Sequence, residues 1–137
     1  TVEQNVEAFV RTAEAGLYCK PNLIIGYDNE TEKTVQETFT FIRRLENIGR
    51  GIQDQSKKAI FQKNLNNIGK VYIATPYPGT PFYERNKSRL GLDLRTCLER
   101  ISGKDAFYLT INASPFPDDR LTKIRDELTD YVINLRL

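Results

Sequence analysis

Two short apolar runs constrain what this chain can fold into. Leu23-Ile24-Ile25 and Val71-Tyr72-Ile73-Ala74-Thr75 lack the polar alternation of a sheet with one wet face. Such runs are expected of strands covered on both faces in a parallel sheet. The first is predicted as a strand within Tyr18 to Ile25 that ends at Gly26, and the second runs from Val71 to Thr75. Parallel strands need a long crossover rather than a tight turn. The chain between them supplies one. Thr31 is a good N-cap, and Val35, Phe39, Ile42, Leu45 and Ile48 mark one helical face. Glu30 and Glu32 at its start and Arg43 and Arg44 later suit the helix dipole.

The remaining punctuation is mostly helical. Thr1 and Gln4 have capping-box spacing, Val6, Phe9, Val10, Ala13 and Leu17 recur at helical intervals, and Gly16 supplies a stop. Residues 1–48 thus read helix, strand, helix, the rhythm of an α/β protein. Residues 49–69 break it. Gly49-Arg50-Gly51 reads as a flexible start, and Lys58 to Ile68 as a short helix carrying Ile60, Phe61, Leu65 and Ile68, the whole forming an insertion. After Thr75, the string Pro76-Tyr77-Pro78-Gly79-Thr80-Pro81 forbids a continued strand, and Thr80 with Pro81 launches a helix through Phe82 and Tyr83. Asp93 caps another, with Leu94, Cys97, Leu98 and Ile101 on one face and Ser102-Gly103 at its end. Phe107 to Ile111 fits a third strand or an extended connection. The turn Ser114-Pro115-Phe116-Pro117 leads through Asp118 and Asp119 to a long amphipathic helix defined by Leu121, Ile124, Leu128, Tyr131, Val132 and Leu135.

Composition narrows the chemistry. At 137 residues and 39% hydrophobic content, with 7 Tyr and 7 Phe, the chain suits one domain with a core of its own. Twenty basic residues against 18 acidic ones give a net charge of +2, which predicts neither a nucleic-acid groove nor an anionic membrane partner. No apolar run is long enough for a transmembrane helix and no leader is visible at Thr1, so a cytoplasmic protein is expected. There is no histidine, which removes His-based acid–base chemistry and the usual zinc sites. Cys19 and Cys97, far apart in sequence, are too few for a cluster and read as small apolar core residues, with no disulfide expected in the cytosol.

The segment Leu23-Ile24-Ile25-Gly26-Tyr27-Asp28-Asn29-Glu30-Thr31 resembles the strand-five signature of radical S-adenosylmethionine (radical SAM) enzymes, in which a strand ends in Gly-x-Pro-Gly-Glu-Thr before a helix. Tyr72-Ile73-Ala74-Thr75-Pro76-Tyr77-Pro78-Gly79-Thr80-Pro81-Phe82-Tyr83 resembles the strand-six segment, most closely in the branch that often carries a cobalamin-binding domain and includes magnesium-protoporphyrin ester cyclases. The resemblance covers about residues 1–90. It implies a fragment of a parallel (βα) partial barrel, with residues 91–137 a mainly helical C-terminal extension. It further implies a parent iron–sulfur oxidoreductase or transferase that uses SAM, a 4Fe-4S cluster and in some members cobalamin. Strands five and six help wall the adenosine of SAM, which places Ile24 and Gly26 against the adenine, with Thr75 and Tyr77 as further candidates. Gly26 has no side chain to block a ligand, and Asn29 can take the left-handed conformation usually given to glycine.

The chain departs from the family pattern in several places. Asp28-Asn29 stands where Pro-Gly is usual, Asn22 where an earlier strand glycine is usual, and residues 49–69 lengthen a connection that is normally short. The Cys-x-x-x-Cys-x-x-Cys motif is missing, which implies that the chain is inactive alone and that its partner is the remainder of the parent enzyme. With two strands where the family has about six, an apolar sheet edge is expected to stay open and to promote a homodimer. Each turn taken alone is also an ordinary strand-to-helix connection. Two other readings stand beside the first: a non-catalytic α/β protein-binding module derived from the same fold, and an unrelated α/β enzyme using carboxylates such as Asp28, Glu30 and Asp105.

Overall fold

A computed structural model describes residues 1–104 and 108–137. Helix α1 spans Val2–Glu14, started by a Thr1–Gln4 capping box. Strand β1 (Leu23–Ile25) follows, then α2 (Glu32–Gly51), α3 (Gln55–Asn66), β2 (Val71–Ile73), α4 (Pro81–Asn86), α5 (Leu94–Ile101) and α6 (Asp118–Ile133). The strands pair in parallel with Leu23 opposite Val71, Ile24 opposite Tyr72 and Ile25 opposite Ile73, so α2 and α3 form the crossover. Among the described residues the chain is a mostly helical α/β protein with two short parallel strands.

Side-chain alternation divides the sheet into two unlike faces. Ile25, Val71 and Ile73 point into the core, where they meet Val35, Ile42 and Leu45 of α2, Phe61 and Leu65 of α3, and Leu121, Ile124 and Leu128 of α6. Val6 and Phe9 of α1 close the same core, and the Phe9 and Phe61 rings meet edge to face with centroids 4.9 Å apart. On the opposite face Ile24 is 47% exposed. The expected double burial of this strand therefore does not hold, because every helix supplying this core packs on the Ile25 side. A smaller cluster of Tyr83, Leu92, Cys97 and Ile111 joins α4, α5 and the segment before α6.

Four boundaries differ from the sequence reading. β2 ends at Ile73, not at Thr75, because Pro76 and the turn after it draw the chain away from the ladder. β1 begins at Leu23, not near Tyr18. The stretch before it is held by side chains instead of a ladder: Asn64 Oδ1 accepts from the Cys19 N–H at 2.9 Å, and Asn64 Nδ2 donates to the Leu17 carbonyl at 3.1 Å. Gly49-Arg50-Gly51 is not a flexible start but the last turn of α2. Gly49 is glycine for space, since a Cβ there would lie 2.5 Å from Leu137 Cδ1 and 2.9 Å from Phe61 Cδ1. Residues 55–66 form α3, capped by Asp54, whose carboxylate accepts from the Ser56 and Lys57 N–H groups. Far from peripheral, α3 supplies Phe61, Leu65 and the adjoining Ile68 to the core. The third strand or extended connection read from Phe107 to Ile111 starts outside the described residues, and residues 108–111 carry no strand.

Phe61 is fully buried where α1, α3 and the carboxyl terminus meet, so Phe61→Ala is expected to cost about 3–5 kcal/mol of stability. Urea unfolding followed by circular dichroism checks this, and a cost under about 1 kcal/mol would show that α3 is not anchored through this ring.

Candidate functional site

Both strands end in turns that deliver a helix, and the two turns lie side by side because the strands are parallel and in register. At the end of β1, Gly26 takes φ +88°, a conformation that costs a side-chain-bearing residue energy. Its N–H donates to Glu30 Oε2 at 2.9 Å, and the other Glu30 oxygen accepts from the Thr34 hydroxyl. Glu30 is buried, and its own N–H bonds the Tyr27 carbonyl at 3.0 Å. This carboxylate therefore ties the end of β1 to the first turn of α2, a more structural task than the expected charge–dipole contact. Thr31 adds a reciprocal cap with Thr34. Asn29 does not adopt the left-handed conformation, since among the described residues only glycines have positive φ.

At the end of β2 the ladder extends one residue further, with the Ala74 N–H donating to the Ile25 carbonyl at 2.7 Å. The chain then tightens. The Tyr77 N–H bonds the Thr75 carbonyl at 2.9 Å, and the Tyr77 carbonyl accepts from the Thr80 N–H at 3.1 Å. Thr80 caps α4 through the Tyr83 N–H, with Pro81 in the first turn where no donor is needed. The Cys97 thiol donates to the Pro76 carbonyl at 3.4 Å, which fastens α5 beneath this turn.

Between the turns, on the uncovered sheet face, lies a cavity of about 360 Å³ whose walls include Ile24, Tyr27, Tyr72, Thr75, Tyr77 and Phe82. The Tyr27 and Phe82 rings meet edge to face at 5.4 Å. Their spacing is set by a polar network behind them. Asp28 accepts from Arg85 Nε at 3.1 Å and from buried Asn86 Nδ2 at 2.9 Å, joining the β1 turn to α4. Asn86 in turn accepts from Arg89 at 2.8 Å, and Arg89 donates to the Ala113 carbonyl at 2.5 Å. The hydrogen bond from Arg85, and then that from Asn86, hold the Asp28 carboxyl below its usual range.

Of the residues singled out from sequence, Ile24, Thr75 and Tyr77 line this one cavity. Gly26 adjoins it without lining it, and the space a side chain would occupy there is taken by Ile73 Cγ2 at 3.2 Å and Leu121 Cδ2 at 3.3 Å. Its bareness serves the core side. Tyr27, Tyr72 and Phe82 were not foreseen as site residues, although the register of Ile24 with Tyr72 follows once the strands are aligned. Asp28 and Glu30 do not converge. The first faces α4 and the second its own helix, while Asp105 lies outside the described residues.

No family model, curated protein or solved structure matches this chain. Its chemistry therefore rests on the cavity itself. Flat aromatic walls, one exposed aliphatic side chain and the Thr75 hydroxyl suit a planar, mostly apolar ring with a few polar atoms. Neither thiol is activated: burial pushes both Cys19 and Cys97 up. The two are free, and among the described residues no three His, Cys, Asp or Glu side chains are grouped to hold a metal, so the residues of this chain do not fit an iron–sulfur cluster. No helix among them is long and apolar enough to cross a membrane.

Two outcomes are expected. Gly26→Ala should cost about 1–3 kcal/mol, because it combines a positive φ with a tight approach to Ile73 and Leu121, and chemical denaturation measures it. Folding lowers the pKa of Asp28, so the stability this group contributes is complete above the unfolded carboxyl value of about 4 and is lost as pH falls through the lower folded value. Asp28→Asn should flatten that acid-side loss when melting temperature is followed against pH, and an unchanged profile would dismiss the Arg85 pairing as a stabiliser.

Proposed function

We propose that this chain is the C-terminal part of a radical SAM enzyme and contributes one wall of the pocket for the adenosine of SAM. The observation that carries the reading is Ile24, an apolar side chain left 47% exposed on a cavity it shares with Thr75 and Tyr77, beyond two parallel strands. Ligands of parallel α/β sheets and barrels gather at the carboxyl ends of their strands. In this reading the two strands are part of a (βα) partial barrel and residues 91–137 its C-terminal extension. Ile24 lies against the adenine, Thr75 offers a hydroxyl to a ring or ribose heteroatom, and Tyr77 and Phe82 shield the ring from water. Gly26 shapes the turn at the pocket's edge.

The remainder of the parent enzyme is the partner, and it supplies the cysteines for the 4Fe-4S cluster. Reductive SAM cleavage belongs to that assembled enzyme, an oxidoreductase or transferase of the cytoplasm, with cobalamin as a further cofactor in the branch the second signature resembles. The uncovered apolar face also favours a second reading, a non-catalytic module that uses Ile24, Tyr27 and Tyr77 to bind another protein.

The deciding experiment expresses the full reading frame, reconstitutes it anaerobically with iron and sulfide, and measures the cluster spectrum and SAM-dependent release of 5′-deoxyadenosine. The expected result is a cluster, cleavage, and a SAM affinity weakened roughly tenfold or more by Ile24→Asp, the cost of a carboxylate at an apolar contact. A full-length product with neither cluster nor cleavage would leave the binding module as the better reading.

A further inference from the structure

The two outer edges of the sheet are treated differently. On β2 the Val71 N–H donates to Thr129 Oγ1 of α6 at 3.2 Å, so that edge is covered. No element among the described residues pairs with the edge of β1. The Ile25 carbonyl is used on the β2 side by Ala74, and peptide groups alternate along a strand, so those of Ile24 face away from β2 toward the open edge. Beside that edge run two grooves of about 370 and 470 Å³ that share Asn5, Asn22, Leu23 and Phe41 and so form one trough. Its charge is polarised. Lys20 stands at one end and Glu37 at the other. Lys20 has no ion pair among the described residues, and Glu37 has only a long exposed contact of 3.8 Å with Lys33.

A trough basic at one end and acidic at the other is complementary to itself when reversed. We propose that β1 pairs with β1 of a second copy of this chain, antiparallel about a two-fold axis at Ile24. Such an interface is isologous, so each contact occurs twice. Ile24 and its counterpart exchange both N–H···O bonds, and their exposed side chains meet on the uncovered face. Lys20 of one copy reaches the Glu37 end of the other. Two sheets of two strands become one of four, which relieves the edge that a lone pair of strands leaves unsatisfied. The inference does not rest on SAM binding but makes a competing use of the exposed Ile24 side chain, so association of the chain and SAM cleavage by the full-length product are read separately.

Sedimentation equilibrium of the chain across a range of concentrations tests it. The expected result is a monomer–dimer equilibrium with slowed exchange of the Ile24 amide in the dimer. Ile24→Pro, which removes the donor, should give a monomer. Lys20→Glu and Glu37→Lys are surface changes, and each alone should weaken the dimer roughly tenfold by placing like charges together at both contacts. An equimolar mixture of the two should restore association, because the mixed dimer regains opposite charges at both contacts. That rescue cannot come from a folding defect. A monomer at every concentration, a dimer that persists in Ile24→Pro, or a mixture no tighter than either variant alone would overturn the proposal.

Discussion

The structure depends on the parallel pairing of two three-residue strands, an interaction too small to persist without support. What sustains it is the packing on one face. Ile25, Val71 and Ile73 share one buried cluster with side chains from α2, α3 and α6, and Thr129 of α6 also satisfies the Val71 N–H on the outer edge of β2. The C-terminal helix is therefore part of the same core as the strands. Polar groups that would otherwise be stranded near this core are used as fasteners. Asn64 holds the chain before β1, and Glu30 holds the turn after it.

One-sided support explains both candidate functions of the surface. Because the helices take the Ile25 face, the Ile24 face is left to form the aromatic-lined cavity at the strand ends. Because α6 covers the edge of β2, the edge of β1 is the one left open. The Asp28, Arg85 and Asn86 contacts fix α4 against the first turn, so the cavity walls come from two turns distant in sequence that behave as one unit.

Local signals in the sequence were legible where their physics is local. Thr1, Thr31, Thr80 and Asp93 each cap the helix expected of them, because an N-cap needs only its own side chain and a backbone N–H two or three residues on. The long helical crossover pointed to parallel strands, whereas the two-sided burial read from their unbroken apolar character failed at Ile24. The reading of Gly49-Arg50-Gly51 as flexible failed too, because what decides it is not local. Glycine discourages a helix locally, and only the close approach of Leu137 and Phe61 explains why a glycine sits inside α2.

The sequence by itself determined most of the order of helices and strands, the caps at Thr1, Thr31, Thr80 and Asp93, and the lack of histidine and of a cysteine set for a cluster. Those are properties of composition and of neighbours a few residues apart. Only the tertiary structure decided that Ile24 and Tyr72 share an exposed face, that Gly26 is bare because Ile73 and Leu121 press on it, and that Asp28 and Glu30 serve different partners. Each of these turns on which side of a strand or turn a group faces. Apart from Glu30, whose partners Gly26 and Thr34 each lie four positions away, that is fixed by residues far off in the chain, such as Tyr72, Arg85 and Leu121, through packing that no local pattern encodes.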